Sequence, residues 1–193
     1  MLAYDVCDDY EIIEGEKIMS PAPNMWHGNV VLNLATDVNI YFRSNNLGVV
    51  FHDHIDVHFP DGNTLSPDLT IIRADNPDID TYKKKGVFYG VPDMVAEVFS
   101  KSTMKRDIGI KKDVYERNGV KEYWIINPWS ESIEVYLLRN GKYELDGVYI
   151  DYSDDELERL TDEERAAVQT EIPVAVLNGF TLKIKNIFWR YFE

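Results

Sequence analysis

The sequence predicts an α/β fold, a central mixed β-sheet flanked by helices, and three observations carry that expectation. Apolar residues recur at helical spacing behind a capping asparagine at position 24. A buried strand, a helix and a further strand succeed one another between residues 92 and 127, the order that pairs strands in parallel. Two alternating segments flank Asn140-Gly141, the pair favoured by the type I′ turn of an antiparallel hairpin.

Each element has its own signal. Asp9 to Met19 reads as a short strand pair or turn around Gly15, and Ser20-Pro-Ala-Pro then breaks the chain. Val30, Val31, Leu34, Val38 and Tyr41 place an amphipathic helix from Asn24 to about Arg43, with Asn46-Leu-Gly as its stop. From Phe51 to Phe59 the residues alternate: Phe51, Ile55, Val57 and Phe59 share one face, and His52, His54, Asp56 and His58 the other. That pattern predicts one half-exposed strand. Asp61-Gly62 turns it into a second strand over Asp68 to Arg73, and Val91 to Ser100 reads as a buried strand. Residues 103–118 form a second helix stopped by Gly119, and Lys121 to Asn127 the next strand. The hairpin joins Ile133–Leu138 to Tyr143–Ile150; the acidic stretch 153–168 reads as a solvent-facing helix, and Phe180 to Ile187 as a closing strand.

A chain of 193 residues has room for one domain with a real core, taken here as residues 1–193 with an acidic excursion at about 151–170. Its 45% hydrophobic and 28% charged residues are ordinary for a globular protein. The single cysteine, Cys7, excludes an internal disulfide and suits a reducing compartment. The start carries Asp5, Asp8 and Asp9 without a basic region, unlike a signal peptide, and no apolar run approaches membrane-spanning length. A cytoplasmic location is therefore expected.

The net charge of −14 argues against tight, non-specific binding to nucleic acid. The charge is uneven, however. Acids dominate Asp151 to Arg165, whereas Lys101, Lys105, Arg106, Lys111 and Lys112 crowd the segment around Asp107, and Lys83, Lys84 and Lys85 form a second basic run. A phosphate-bearing substrate stays compatible with that local pattern.

Two carboxylates stand where a metal site would want them. Asp68 follows Ser66-Pro67 and opens a β-rich run, and Glu97 lies inside Met94-Val-Ala-Glu-Val-Phe, where an acid is costly unless paired or bound. Glu97 could equally sit at a strand edge or pair with a core cation. On the following helix Met104, Ile108, Val114 and Tyr115 define the inner face, with Lys111 amid that stripe, Asp107 on its margin and Lys112 off to one side as a solvated lysine. Lys111 could orient water and stabilise phosphate charge, or simply neutralise Glu97. His27 likewise falls in line with Val30, Val31, Leu34 and Val38, where a histidine is more often a satisfied core residue than a catalyst.

The runs Ser66-Pro-Asp68, Gly90-Val-Pro-Asp-Met-Val-Ala-Glu97-Val-Phe-Ser, Asp107-Ile-Gly-Ile-Lys111, Tyr115 and Gly119-Val-Lys-Glu-Tyr-Trp124 closely resemble the Uma-type putative restriction endonuclease family. That family belongs to the PD-(D/E)XK nuclease-like superfamily. The resemblance runs from about Glu11 to Ile187 and is most specific from 90 to 127. It implies a restriction-endonuclease-like fold and Mg²⁺-dependent hydrolysis of nucleic-acid phosphodiesters, DNA in the first place, with Mn²⁺ as a substitute. In the superfamily pattern a lysine stands two residues after the acid, where this chain has Phe99. The resemblance implies that this lysine has migrated to Lys111 and that His27 faces the site. Asp68, Glu97 and the backbone carbonyl of Val98 would then hold the metal. Lys111 would position water or phosphate, and His27 would contact the phosphate or assist proton transfer. A homodimer is also implied, with the Asn140-Gly141 hairpin and the aromatic Phe188–Phe192 tail as candidate interfaces. Two departures from the family pattern are Lys101, where a proline is usual, and Asn127, where aspartate is frequent.

Two alternative readings remain, and a third pattern is discarded. His52, His54, Asp56 and His58 are all potential zinc ligands on one strand face, although residues six apart on a strand are about 20 Å from each other. A zinc-binding hydrolase built there is one alternative; a nuclease fold retained as an inactive binding or scaffold protein is another. Ser102-Thr-Met-Lys105 matches the short S-x-x-K pattern but lacks its companion motifs.

Overall fold

The structure, a computed structural model, describes residues 10–19, 23–52, 55–99 and 107–190, with backbone alone at 85, 107 and 108. Cys7, His54, the bases Lys101, Lys105 and Arg106, and Ser102, Met104, Tyr191 and Phe192 lie outside the described residues.

In chain order the first strands are β1 (Tyr10–Ile13), β2 (Glu16–Met19), β3 (Gly48–His52), β4 (Val57–His58), β5 (Thr64–Leu65), β6 (Leu69–Arg73) and β7 (Phe88–Tyr89). They are followed by β8 (Met94–Val98), β9 (Glu122–Asn127), β10 (Ser132–Arg139), β11 (Lys142–Ile150), β12 (Glu171–Pro173) and β13 (Thr181–Lys183). The helices are α1 (Met25–Asn45), α2 (Ile79–Lys85), α3 (Lys112–Asn118), α4 (Asp154–Arg159), α5 (Asp162–Ala167) and α6 (Ile184–Phe188). A π-helical turn over Asp107–Lys111 leads directly into α3.

The central sheet has six strands in the order β11-β10-β9-β8-β6-β3. It is mixed, as expected: β8 and β9 run parallel, and the other neighbours antiparallel. Alternation along each strand feeds two cores. Met94, Ala96 and Val98 of β8 with Trp124 and Ile126 of β9 face α1 and the C-terminal β12-β13-α6 unit. Val95, Tyr123 and Ile125 face the other way, onto Val114 and Tyr115 of α3 and onto a second sheet of order β2-β1-β5-β4-β7.

Helix α1 begins where its cap requires. Asn24 is extended, and its side-chain oxygen accepts the His27 N–H at 3.0 Å. The buried face is His27, Val30, Val31, Leu34, Ala35, Val38 and Phe42, and the helix stops at Asn46 in the left-handed region. Among the described residues no helix is long and apolar enough to cross a membrane.

Four expectations need correction. The predicted strand Phe51–Phe59 is not continuous: β3 pairs with β6 in the central sheet, whereas β4 pairs with β5 and β7 in the second. His52 and His58 therefore belong to different sheets, and His58 stacks on Tyr89 while its Nδ1 lies 2.9 Å from the Thr64 hydroxyl. The shared histidine face that a zinc site needed is not formed by them. The acidic stretch is two short helices, because Ser153–Glu156 and Thr161–Glu164 each close a capping box. Residues 180–187 change from strand to helix at Ile184, and the burial of Ile184, Ile187 and Phe188 follows helical spacing. Lys112, expected in solvent, is half-buried with its ammonium 3.4 Å from the centre of the Tyr136 ring. Of the aromatic tail, Phe188 enters the core and Trp189 stays exposed.

Two carboxyl groups tie these layers together with opposite pH signatures. Glu122 is fully buried in β9 and accepts from Trp124 Nε1 at 2.8 Å and from the Val176 N–H at 2.9 Å, pinning the C-terminal segment. Burial pushes its carboxyl above the usual 4.5, partly offset by those hydrogen bonds. Asp61, in the turn between β4 and β5, accepts from Arg117 Nε and Asn118 Nδ2, both at 2.8 Å, and so fastens the second sheet to α3. Partial burial alone would raise Asp61, but hydrogen bonds from Asn63, Arg117 and Asn118 outweigh it and bring its pKa from 3.8 to about 2. A raised carboxyl stabilises the fold below its unfolded value and loses that contribution as pH climbs through the folded one; a lowered carboxyl contributes above its unfolded value and loses it as pH falls. Denaturant unfolding across pH should show both effects. Glu122→Gln is expected to flatten the decline that begins near pH 4.5. Asp61→Asn is expected to flatten the acid loss between pH 3.8 and about 2, by about 1 kcal/mol.

A buried carboxylate and lysine cluster as the candidate active site

The ladder between β6 and β8 sets the first part of the site. Leu69 faces Ala96 and Thr70 faces Val95 in this antiparallel pair, so one further step of the same register brings Asp68 opposite Glu97. Asp68 sits at the strand mouth just after Pro67. Its Oδ2 accepts the Val98 N–H at 2.6 Å, and its Oδ1 lies 3.1 Å from His27 Nε2. The first turn of α1, positioned by the Asn24 cap, thereby delivers His27 to the end of the central sheet.

Glu97 is the next side chain after Val95 on the face that packs against the second sheet, and it is 3% exposed. Both of its oxygens lie 3.1 Å from Lys111 Nζ, and Tyr115 donates its hydroxyl to Oε1 at 2.5 Å. Lys111 closes the π-helical turn and Tyr115 follows four residues later, so both reach the same side. Burial, reinforced by the negative charges of Glu97 and Glu11, pushes the Tyr115 hydroxyl well above its usual range. Tyr115 therefore stays a neutral donor.

A third carboxylate completes the cluster. Glu11 of β1 is 1% exposed; its Oε1 lies 2.8 Å from Lys111 Nζ and accepts the Ser66 N–H at 3.0 Å. Nothing in the sequence analysis marks Glu11 as a site residue, and Tyr115 enters it on the inner helix face and among the family-like runs without a role at the site. The available signal was the alternation of β1, which puts Glu11 in phase with the buried Ile13. Of the residues singled out from sequence, Glu97 and Lys111 are in direct contact, His27 and Asp68 form a second pair, and the backbone of Val98 joins the two. Lys83 and Lys84 are exposed on α2.

With His27 neutral, Asp68, Glu97, Glu11 and Lys111 sum to two negative charges. All the donors are hard carboxylate oxygens, which suits a small divalent cation better than a thiophilic one. Among the described residues no three histidine, cysteine or acidic side chains converge on one point. Asp68 and Glu97 are the carboxylates that could hold such a cation, with backbone oxygen and water completing its shell.

Comparison with known proteins agrees with this architecture. The family model Uma2, described as "Putative restriction endonuclease", matches residues 5–175. The fold is similar to the crystal structure of a putative nuclease belonging to DUF820 from Anabaena variabilis ATCC 29413, with a TM-score of 0.70 and 18% identity over 93% of this chain and 89% of that one. No curated protein matches.

The cluster's cohesion is measurable without any substrate. Tyr115→Phe removes one donor from a buried carboxylate and leaves Lys111 in place, so thermal unfolding should show a loss of about 1–3 kcal/mol. An unchanged midpoint would mean that Glu97 does not depend on this hydroxyl.

Proposed function

Because the chain belongs to the Uma2 family of putative restriction endonucleases, we propose that it hydrolyses phosphodiester bonds of DNA at the Asp68–Glu97–Lys111 cluster, with Mg²⁺ as cofactor and Mn²⁺ as a substitute. The observation that carries this proposal is the placement of two carboxylates on neighbouring strands, with a buried lysine bonded to one of them and a histidine to the other. Asp68, Glu97 and the carbonyl of Val98 are the residues that would hold the metal. Such an ion, when bound, neutralises phosphate charge and makes a bound water more acidic.

The protein groups then divide the remaining work. Lys111 brings a fixed positive charge to the edge of the site, where it holds the attacking water or a phosphate oxygen as negative charge develops. His27, through Nε2 beside Asp68, contacts the phosphate or moves a proton to or from the reacting oxygens. Tyr115 keeps Glu97 in place without competing for charge. The overall charge of −14 supports recognition through local contacts rather than a general basic surface.

Purified protein would be incubated with supercoiled plasmid, linear duplex and single-stranded DNA, with Mg²⁺, Mn²⁺ or EDTA, beside Asp68→Ala, Lys111→Ala and His27→Ala. The expected result is metal-dependent cleavage, abolished in Asp68→Ala and reduced about a hundredfold or more in Lys111→Ala. Cleavage that survives in both, or is indifferent to EDTA, would place the activity elsewhere. Absence of cleavage on every substrate would favour an inactive nuclease fold that binds its partner.

A further inference from the structure

The two carboxylates that hold Lys111 come from different sheets. Glu97 belongs to the central sheet and Glu11 to the second, and the ammonium lies 3.1 Å from the first and 2.8 Å from the other. All three side chains are at most 7% exposed. One ammonium is thus held by a carboxylate from each sheet, so it keeps an anionic partner whenever the other carboxylate is engaged elsewhere.

We propose that Glu11 is a second seat for Lys111, a positioning residue that retains the ammonium when Glu97 turns toward an incoming divalent cation. In the arrangement described here Lys111 spans both seats. Were Glu97 to bind a cation, the lysine would keep its contact with Glu11 and so remain buried beside the carboxylates. Without Glu11, Lys111 and the cation compete for the same carboxylate. Glu11 also accepts the Ser66 N–H, two residues before Asp68, so it braces the segment that presents the other carboxylate. The consequence for metal binding rests on the metal-dependent function proposed above; the sharing of the lysine rests on the geometry alone.

A mutant cycle separates the lysine seat from a purely structural bond to Ser66. Thermal unfolding without metal is measured for the full-length protein, Glu11→Gln, Lys111→Met and the double variant. Glu11→Gln is expected to lower the midpoint by about 5 °C in the wild-type background, and to leave it unchanged or raise it once Lys111 is gone. An equal loss in both backgrounds would overturn the proposal and leave Glu11 as a brace for Ser66. Should Lys111→Met fail to fold, Glu11→Gln is compared in wild type and in Glu97→Gln. Removing the second seat after the first should then cost more than removing it alone, and simple additivity overturns the idea. Calorimetric titration with Mn²⁺ in the absence of nucleic acid is the second readout: Glu11→Gln should weaken affinity about tenfold, and only where Lys111 is present. Equal weakening in the Lys111→Met background would make Glu11 a metal ligand rather than a seat. If wild-type protein takes up no Mn²⁺, the metal-dependent function fails, while the unfolding cycle still decides the role of Glu11.

Discussion

The ammonium of Lys111 is the point on which the two sheets converge. A charge buried this deeply is tolerated only with counter-charges in place, and removing them costs several kcal/mol in typical proteins. Glu97 must therefore face the second sheet, β1 must dock with Glu11 turned inward, and the turn before α3 must present the lysine at the right height. These are three separate structural decisions made by distant parts of the chain. Their agreement at one nitrogen atom makes the local chemistry and the global packing one problem. Tyr115 adds a fourth, since its hydroxyl reaches Glu97 only while α3 keeps its phase relative to β8.

Much of this architecture is written locally. The start and stop of α1 are visible in Asn24 and Asn46, because caps depend on a handful of adjacent residues. Strand β8 and strand β9 are visible as short apolar runs, and helix α3 as an apolar stripe stopped by Gly119. The central sheet's mixed order follows from that passage and the hairpin. Lys111 stood out because a cation on an apolar stripe contradicts its surroundings, and His27 for the same reason.

What stayed hidden depends on partners remote in sequence. From Phe51 to Phe59 the alternation runs on unbroken while the chain passes from one sheet to the other, since a pleat's period says nothing of which strand lies alongside. Glu11 belongs to a strand of four residues, whose alternation sets it in phase with Ile13 but does not say what would partner an acid on that face. The two helices of the acidic segment were in principle readable, as Ser153-Asp-Asp-Glu156 followed by Thr161-Asp-Glu-Glu164 spells two successive helix starts.

Neither of those two helices buries a residue. They are tied to each other by short-range bonds, such as those from Arg165 to the Leu157 and Leu160 carbonyls. Substitutions at the exposed positions of this stretch therefore escape the packing constraints that govern the sheets. Exchanging its glutamates and aspartates for lysines would invert a large share of the molecule's electrostatic field without disturbing a single core contact.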